Sequence, residues 1–363
     1  MHLLINKNQL AKVLNNISRI ANSRNQLPIL NNVLLRAEKD KLTIIANNLE
    51  LASEETIPTT VKQNGVITVP AKPLAEFINN LPNTELSLET TGTKLKVSGK
   101  GFSATFNGVD AEDFPEVINP EAKSLTINLS VADFRHTLQQ VISATSNDFS
   151  RPALTGVCFN SFNKQLFVVA TDGFRLAEAE LLPKFNDDLR VIVPTAAITE
   201  VLSAAEDGDL TIKIGEAQIQ FLIGEQTEIT SNLISGSYPD YRQLIAATGA
   251  ETAVVDRDEL IRLLKVAQVF ARVADNAVIL KTSGKNKQLS VIAVESELGS
   301  NSSEMAAAVS GTDISMAFNI RFLLDALNVF EAPEVNLDFS DDKLIIHGND
   351  SSSLVYIVMP RKA

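Results

Sequence analysis

The apolar positions change their period three times along the chain, each time in the same order. In residues 3–20, 125–146 and 252–271, a short run of alternating apolar and polar residues gives way to apolar residues three or four apart. Alternation fits a strand with one buried face, and the wider spacing fits an amphipathic helix. The helix positions correspond: Leu10, Leu14 and Ile17; then Phe134, Leu138 and Val141; then Leu260, Leu264 and Ala267. Ser130 and Asp258 are expected to cap the second and third of these helices, because a short side-chain oxygen accepts from the free N–H groups of the first turn.

A second helix start recurs as Val69-Pro70-Ala71-Lys72-Pro73-Leu74, Val193-Pro194-Thr195-Ala196-Ala197-Ile198 and Phe318-Asn319-Ile320-Arg321-Phe322-Leu323. The constant spacing of about 124 residues marks an internal repeat. Proline suits the first turn of a helix, where its missing N–H would have no partner. The remainder reads as strands with Gly, Asn and Asp at the turns, among them 42–46, 166–170, 289–294, 86–89 with 95–98, 210–214 with 219–223, and 335–339 with 344–347. The pattern predicts an α+β fold of three tandem modules, each two helices on a mainly antiparallel sheet, over residues 1–122, 123–248 and 249–363. A sheet edge invites pairing. Three such modules can therefore join edge to edge into an arc, and a head-to-tail partner can close the arc into a ring.

Composition narrows the class. At 363 residues with 45% hydrophobic content the chain can build more than one core. No apolar run reaches the length of a membrane helix, and the polar Asn6 and Lys7 interrupt the N-terminus too early for a signal peptide. A soluble cytoplasmic protein is expected. One cysteine, Cys158, cannot form an intrachain disulfide or a cysteine zinc cage.

The formal net charge of −12 argues on average against nucleic acid. Its distribution argues the other way. Residues 7–24 carry Lys7, Lys12, Arg19 and Arg24 with no acid, and 257–272 carry Arg257, Arg262, Lys265 and Arg272 against two acids. Lys72, Arg135 and Arg321 mark other helices, while acids dominate 110–116, 178–180, 200–209 and 331–342. A positive helical face on an acidic body suits a polyanion. With no aromatic residue among the bases of 7–24 and no base-reading motif, the expected contact is with the duplex backbone, without sequence preference.

Four strings then identify a family: Arg24-Asn25-Gln26-Leu27-Pro28-Ile29-Leu30, Ala170-Thr171-Asp172-Gly173-Phe174-Arg175-Leu176, Ser237-Tyr238-Pro239-Asp240-Tyr241 and Tyr356-Ile357-Val358-Met359-Pro360-Arg361. In this order, over a threefold repeat spanning the chain, they resemble the bacterial DNA polymerase III beta subunit, the replicative sliding clamp. The resemblance implies a head-to-tail homodimer, a six-domain ring around double-stranded DNA with no catalysis and no cofactor. It also implies docking of the polymerase III catalytic subunit, the clamp loader, other polymerases and repair proteins through short clamp-binding peptides. Carried over by position, the peptide pocket comprises Leu154, Thr171, Gly173, Arg175 and Leu176, a far wall of Pro239, Arg242 and Leu244, and Ile357, Met359 and Pro360 from the C-terminal strand. Arg175 is expected to offer a charged hydrogen bond at the rim. DNA contacts fall on Arg24, Lys12, Lys72, Arg135, Arg262 and Lys265. The dimer contact sets Phe102 against Val269 and Phe270 of the other subunit. Phe174 stands where some relatives have histidine. Gln243 follows Arg242 where a second arginine is sometimes found, and 195–197 lacks bases some relatives carry, so module two is expected to touch DNA least.

Two other readings compete. Asp110, Glu112 and Asp113, or Asp172 with Arg175, suggest an enzyme, but His2, His136 and His347 lie far apart in sequence and no nucleophile motif or phosphate-cradling glycine loop is present. A repeat-built scaffold that never encircles DNA is the second, and it would remain a monomer.

Overall fold

Each alternating run becomes a strand and each spaced run a helix. A computed structural model describes the chain apart from residues 22–26, 118, 121–123, 205–206, 247–250, 273–274, 297–298, 350–352 and 362–363. Seven α-helices run through the described residues: α1 (Lys7–Ile17), α2 (Ala71–Asn79), α3 (Val131–Val141), α4 (Thr195–Ala204), α5 (Arg242–Ala246), α6 (Arg257–Ala271) and α7 (Ile320–Leu327). The nine matching apolar positions of α1, α3 and α6 are all buried, as the 3.6-residue period requires of a helix lying on a core.

The helix starts follow the sequence closely but not everywhere. Ser130 caps α3, with the Asp133 N–H donating to Ser130 Oγ at 3.0 Å and the hydroxyl donating back to Asp133 Oδ2 at 2.7 Å. Asp258 does not cap α6. Asp256 does, accepting from the Glu259 N–H at 2.7 Å, and Asp258 inside the first turn holds the Arg257 guanidinium instead. Pro70 stands just before α2 and closes an edge strand, so its missing N–H costs the sheet nothing.

The chain divides into two compact units, Met1–Asp133 with Ala196–Leu233 and Phe134–Thr195 with Ile234–Ala363. The first holds a five-stranded antiparallel sheet in the order Thr60–Gln63, His2–Asn6, Glu85–Thr91, Lys94–Gly99, Phe102–Asn107. It also holds an eight-stranded sheet in the order Leu125–Ser130, Asp209–Ile214, Gln218–Ile223, Thr227–Asn232, Leu51–Pro58, Lys41–Asn47, Asn32–Glu38, Gly65–Pro70. Here α1 packs on α2 and on the strands Lys41–Asn47 and Leu51–Pro58.

The second unit repeats the plan. Its nine-stranded sheet runs Arg190–Pro194, Gly156–Phe162, Gln165–Thr171, Arg175–Leu182, Val355–Val358, Lys343–Gly348, Glu334–Ser340, Glu251–Asp256, Ala308–Ser310. Its four-stranded sheet runs Gly299–Ala306, Gln288–Ser296, Ala277–Ser283, Ser315–Asn319, with α6 and α7 packed together.

The large sheets join repeats edge to edge, as the sequence anticipates. In the first unit Thr227–Asn232 pairs antiparallel with Leu51–Pro58, setting Thr230 opposite Ala52. In the second, Val355–Val358 pairs with Arg175–Leu182, setting Ile357 opposite Leu176. These two seams are where strands of one repeat meet strands of the next.

Candidate functional site

The seam of the second unit carries an apolar cavity of about 180 Å³. One wall is the turn between the strands Gln165–Thr171 and Arg175–Leu182, built by its own side chains. Thr171 Oγ1 donates to the Arg175 carbonyl at 2.6 Å and accepts from the Gly173 N–H at 3.0 Å. Asp172 Oδ1 accepts from the Phe174 and Arg175 N–H groups at 2.8 and 3.0 Å. Gly173 has φ +92°, and a Cβ there would sit 3.2 Å from Arg151 Nη1, so glycine serves both the turn and the open mouth. Leu154, Leu176 and Ile357 are buried among Cys158, Val169, Ile192 and Tyr238 and form the floor. Met359 closes the rim, its N–H donating to the Phe174 carbonyl at 2.8 Å.

The far wall contains Pro239 and Leu244 as expected, and three cations hold it. Arg190 Nη2 donates to the carbonyls of Tyr238 and Pro239 at 2.8 and 3.3 Å. Lys343, a buried lysine, donates to the Leu244 carbonyl at 2.8 Å. Arg242 lies over the rings of Phe162 and Phe167, 4.2 and 4.4 Å from their centroids, and donates to Glu178 at 3.1 Å. Burial pushes the Glu178 carboxyl up, while the Tyr241 hydroxyl and Arg242 pull it down.

Nine of the eleven expected pocket residues line this cavity: Leu154, Thr171, Gly173, Arg175, Leu176, Pro239, Leu244, Ile357 and Met359. Arg242 and Pro360 do not. Arg242 is drawn behind the wall by its aromatic rings and Glu178, and Pro360 borders a neighbouring hollow of about 670 Å³ with Ile279, Met316 and Asp341. Arg175 lines the cavity with part of its guanidinium engaged. Its Nε binds Asp172 at 3.1 Å, its Nη1 binds Asp325 at 2.5 Å, and it lies 4.5 Å over the Phe322 ring, so these contacts brace the rim. Arg151, Asp240 and Tyr241 also line the cavity without having been expected. Tyr241 was within reach of the Ser237–Tyr241 string, whereas nothing in the local sequence marks Arg151.

Among the expected DNA-facing bases, Lys12, Lys72, Arg262 and Lys265 are exposed and Arg135 is half-buried, while Arg24 lies outside the described residues. Arg262 and Lys265, one turn apart on α6, face away from the buried Leu260, Leu264 and Ala267. Two other bases are spent locally: Arg19, in the turn after α1, pairs with Glu200 at 3.6 Å, and Arg257 holds Asp258 and the Phe330 carbonyl. Phe102, 43% exposed, opens the edge strand Phe102–Asn107. Val269 on α6 is 59% exposed, and Phe270 is half-buried against Gly299, at the start of the edge strand Gly299–Ala306.

Of the acids suggestive of catalysis, Asp110 and Asp172 have structural partners. Asp110 Oδ1 accepts from the Glu112 N–H at 3.2 Å and caps a short 3₁₀ turn. Burial pushes the Cys158 thiol up to about 12, which keeps it protonated and inert.

Beside Lys12, a hollow of about 620 Å³ in the first unit is bordered by Asn16 and the buried Glu55. Burial raises Glu55 to about 7; the hydrogen bond from Asn16 opposes the rise, the charge of Glu200 adds to it, and Lys12 and Arg19 oppose it. The folded chain therefore holds this proton more tightly than the unfolded chain does. The stability tied to it is full below the ordinary carboxyl value of 4.5 and is lost as pH rises through about 7. The shift corresponds to roughly 3 kcal/mol at most. Glu55→Gln is expected to melt at the same temperature as the wild type at pH 5 and several degrees above it at pH 8. A difference independent of pH would overturn the assignment.

Models of three domains of the DNA polymerase III beta subunit match the chain in order, the N-terminal domain over residues 1–118, the central domain over 128–240 and the C-terminal domain over 242–362. The chain belongs to the DNA polymerase III beta subunit family. It is 30% identical to the beta sliding clamp of Pseudomonas putida and 29% identical to that of Synechocystis, covering 99% or more of each chain. Solved clamps from Bartonella birtlesii, bound to griselimycin, and from Pseudomonas aeruginosa superpose with TM-scores of 0.94 and 0.92, each at 27% identity over the full length of both chains. Its function is that of a DNA sliding clamp serving the processivity of replication.

Proposed function

We propose that two copies, each of three clamp domains (1–122, 123–248 and 249–363), close head to tail into a ring around duplex DNA, and that the ring tethers the replicative polymerase and other clamp-binding proteins. The chain then works in the cytoplasm as a tether, with no reaction and no cofactor of its own. The observation that carries the ring is the pair of open sheet edges, Phe102–Asn107 and Gly299–Ala306. Each lies beside an exposed or half-buried apolar side chain: Phe102 at one, Val269 and Phe270 at the other. Pairing these edges between chains would satisfy their backbone groups and bury those side chains.

Lys12, Lys72, Arg135, Arg262 and Lys265, with Arg24, would face the duplex and meet its phosphates. A handful of exposed bases, screened over about 8–10 Å at physiological salt, gives weak contact suited to sliding. The apolar cavity between Leu176 and Met359 would take the apolar anchor of a partner peptide. Relatives solved with griselimycin support a ligand-binding surface in this family.

Sedimentation tests the ring. The wild type is expected at twice the mass of one chain, and Phe102→Asp combined with Val269→Asp is expected to weaken self-association at least about 100-fold, because an unpaired charge would be buried in the contact. A wild type that stays monomeric would favour a scaffold that never encircles DNA.

A further inference from the structure

The repeat builds the peptide-pocket frame twice. In the first unit, Asn47 pairs with Ala52 across a tight turn, as Thr171 pairs with Leu176 in the second. Leu49 in that turn has φ +75° where Gly173 has φ +92°. The Leu49 N–H donates to Asn47 Oδ1 at 2.8 Å, as the Gly173 N–H donates to Thr171. The Asn232 N–H donates to the Glu50 carbonyl at 2.9 Å, as the Met359 N–H donates to Phe174. The far walls correspond as well, Pro115 and Val117 standing for Pro239 and Tyr241 at the repeat spacing. A cavity of about 140 Å³ lies at this first seam.

The frame is shared but the lining is not. Thr230 takes the place of Ile357, and Asn232 that of Met359. Asn232 Nδ2 donates to the Leu49 carbonyl at 3.1 Å, and Gln218 donates to Asn232 Oδ1 at 3.2 Å, so amides are tied across the cleft. Thr230 Oγ1 is bonded to Asn119 at 3.1 Å. An apolar anchor entering here would strip these groups of partners while gaining little apolar contact. Leu49, 54% exposed, adds a side chain where Gly173 leaves the mouth open.

We infer that Leu49, Thr230 and Asn232 are specificity-determining residues that bar apolar peptide anchors from the first seam and confine docking to the second. This rests on the second-seam pocket being the docking site. The probe is griselimycin, titrated calorimetrically into the full-length protein. The wild type is expected to take up one equivalent per chain. Leu49→Gly with Asn232→Met, both at exposed positions, is expected to add a second, weaker equivalent, and adding Thr230→Ile is expected to tighten it at least tenfold. Retention of the first equivalent shows that each variant is folded, and the double variant decides the matter if the triple is not. One equivalent in every folded variant, or two in the wild type, would overturn the inference. No uptake by the wild type would instead remove the docking-site reading on which it rests.

Discussion

Loaded onto a closed circular duplex, the protein is expected to stay bound at a salt concentration that strips it from a linear duplex of equal length. Contact and topology hold the protein on DNA in different ways. Six or more phosphate contacts lose roughly a thousandfold in affinity between 50 and 200 mM salt, because binding releases counterions that salt restores. The exposed bases Lys12, Lys72, Arg262 and Lys265 are subject to that loss, and nothing in the described helices suggests base-specific grip. A ring on a circle has no end to slide from, so weakened contacts change its mobility and not its retention. On a linear duplex the same weakening speeds escape from the ends. Gel filtration of loaded complexes in rising salt reads the difference, and equal loss from circle and line would rule out encirclement.

The second large effect is expected at the apolar cavity. Met359→Asp should lower griselimycin affinity at least about 100-fold, which corresponds to about 2.8 kcal/mol. A carboxylate at the rim would have to be desolvated against Leu176, Ile357 and Leu244 as the ligand docks. Leu176→Asp should do the same, but Leu176 is buried and also supports the sheet, so Met359, half-exposed, is the cleaner position. Sedimentation should show the dimer unchanged, since neither residue lies near Phe102–Asn107 or Gly299–Ala306 in sequence or sheet. Undiminished affinity in Met359→Asp would place the ligand elsewhere.

Much of this was legible in the sequence because the repeat writes each signal three times. The triplets headed by Leu10, Phe134 and Leu260 read as helix and are buried. The pocket strings hold together because a turn, its hydroxyl cap and its glycine are neighbours in the chain. What could not be read depends on distant partners. Arg175 reads as a rim donor, and nothing in its neighbourhood shows that Asp325, 150 residues away in sequence, takes its Nη1. Arg242 looked like a wall residue until Phe162, Phe167 and Glu178 drew it behind the wall. Asp258 looked like a cap because it precedes the spaced apolar run, but the helix begins two residues earlier than that cap would set it, and Asp256 takes that role. The strand Thr60–Gln63 carries one half-buried residue among exposed ones, so its pairing with His2–Asn6 left no hydrophobic trace.

The seams also bear on how the molecule comes to exist. Ala52 meets Thr230, and Leu176 meets Ile357, across about 180 residues of intervening chain, far beyond the local contacts that make small domains fold quickly. The entropy of closing such long loops has to be met before the paired strands return anything. The hairpins within each repeat are therefore expected to form before the strand pairs that unite the repeats. The apolar cavity of the second unit is made at one of those pairings. With that cavity as the proposed docking site, a partly folded chain would offer partners no pocket, and recruitment would wait on the completed tertiary structure.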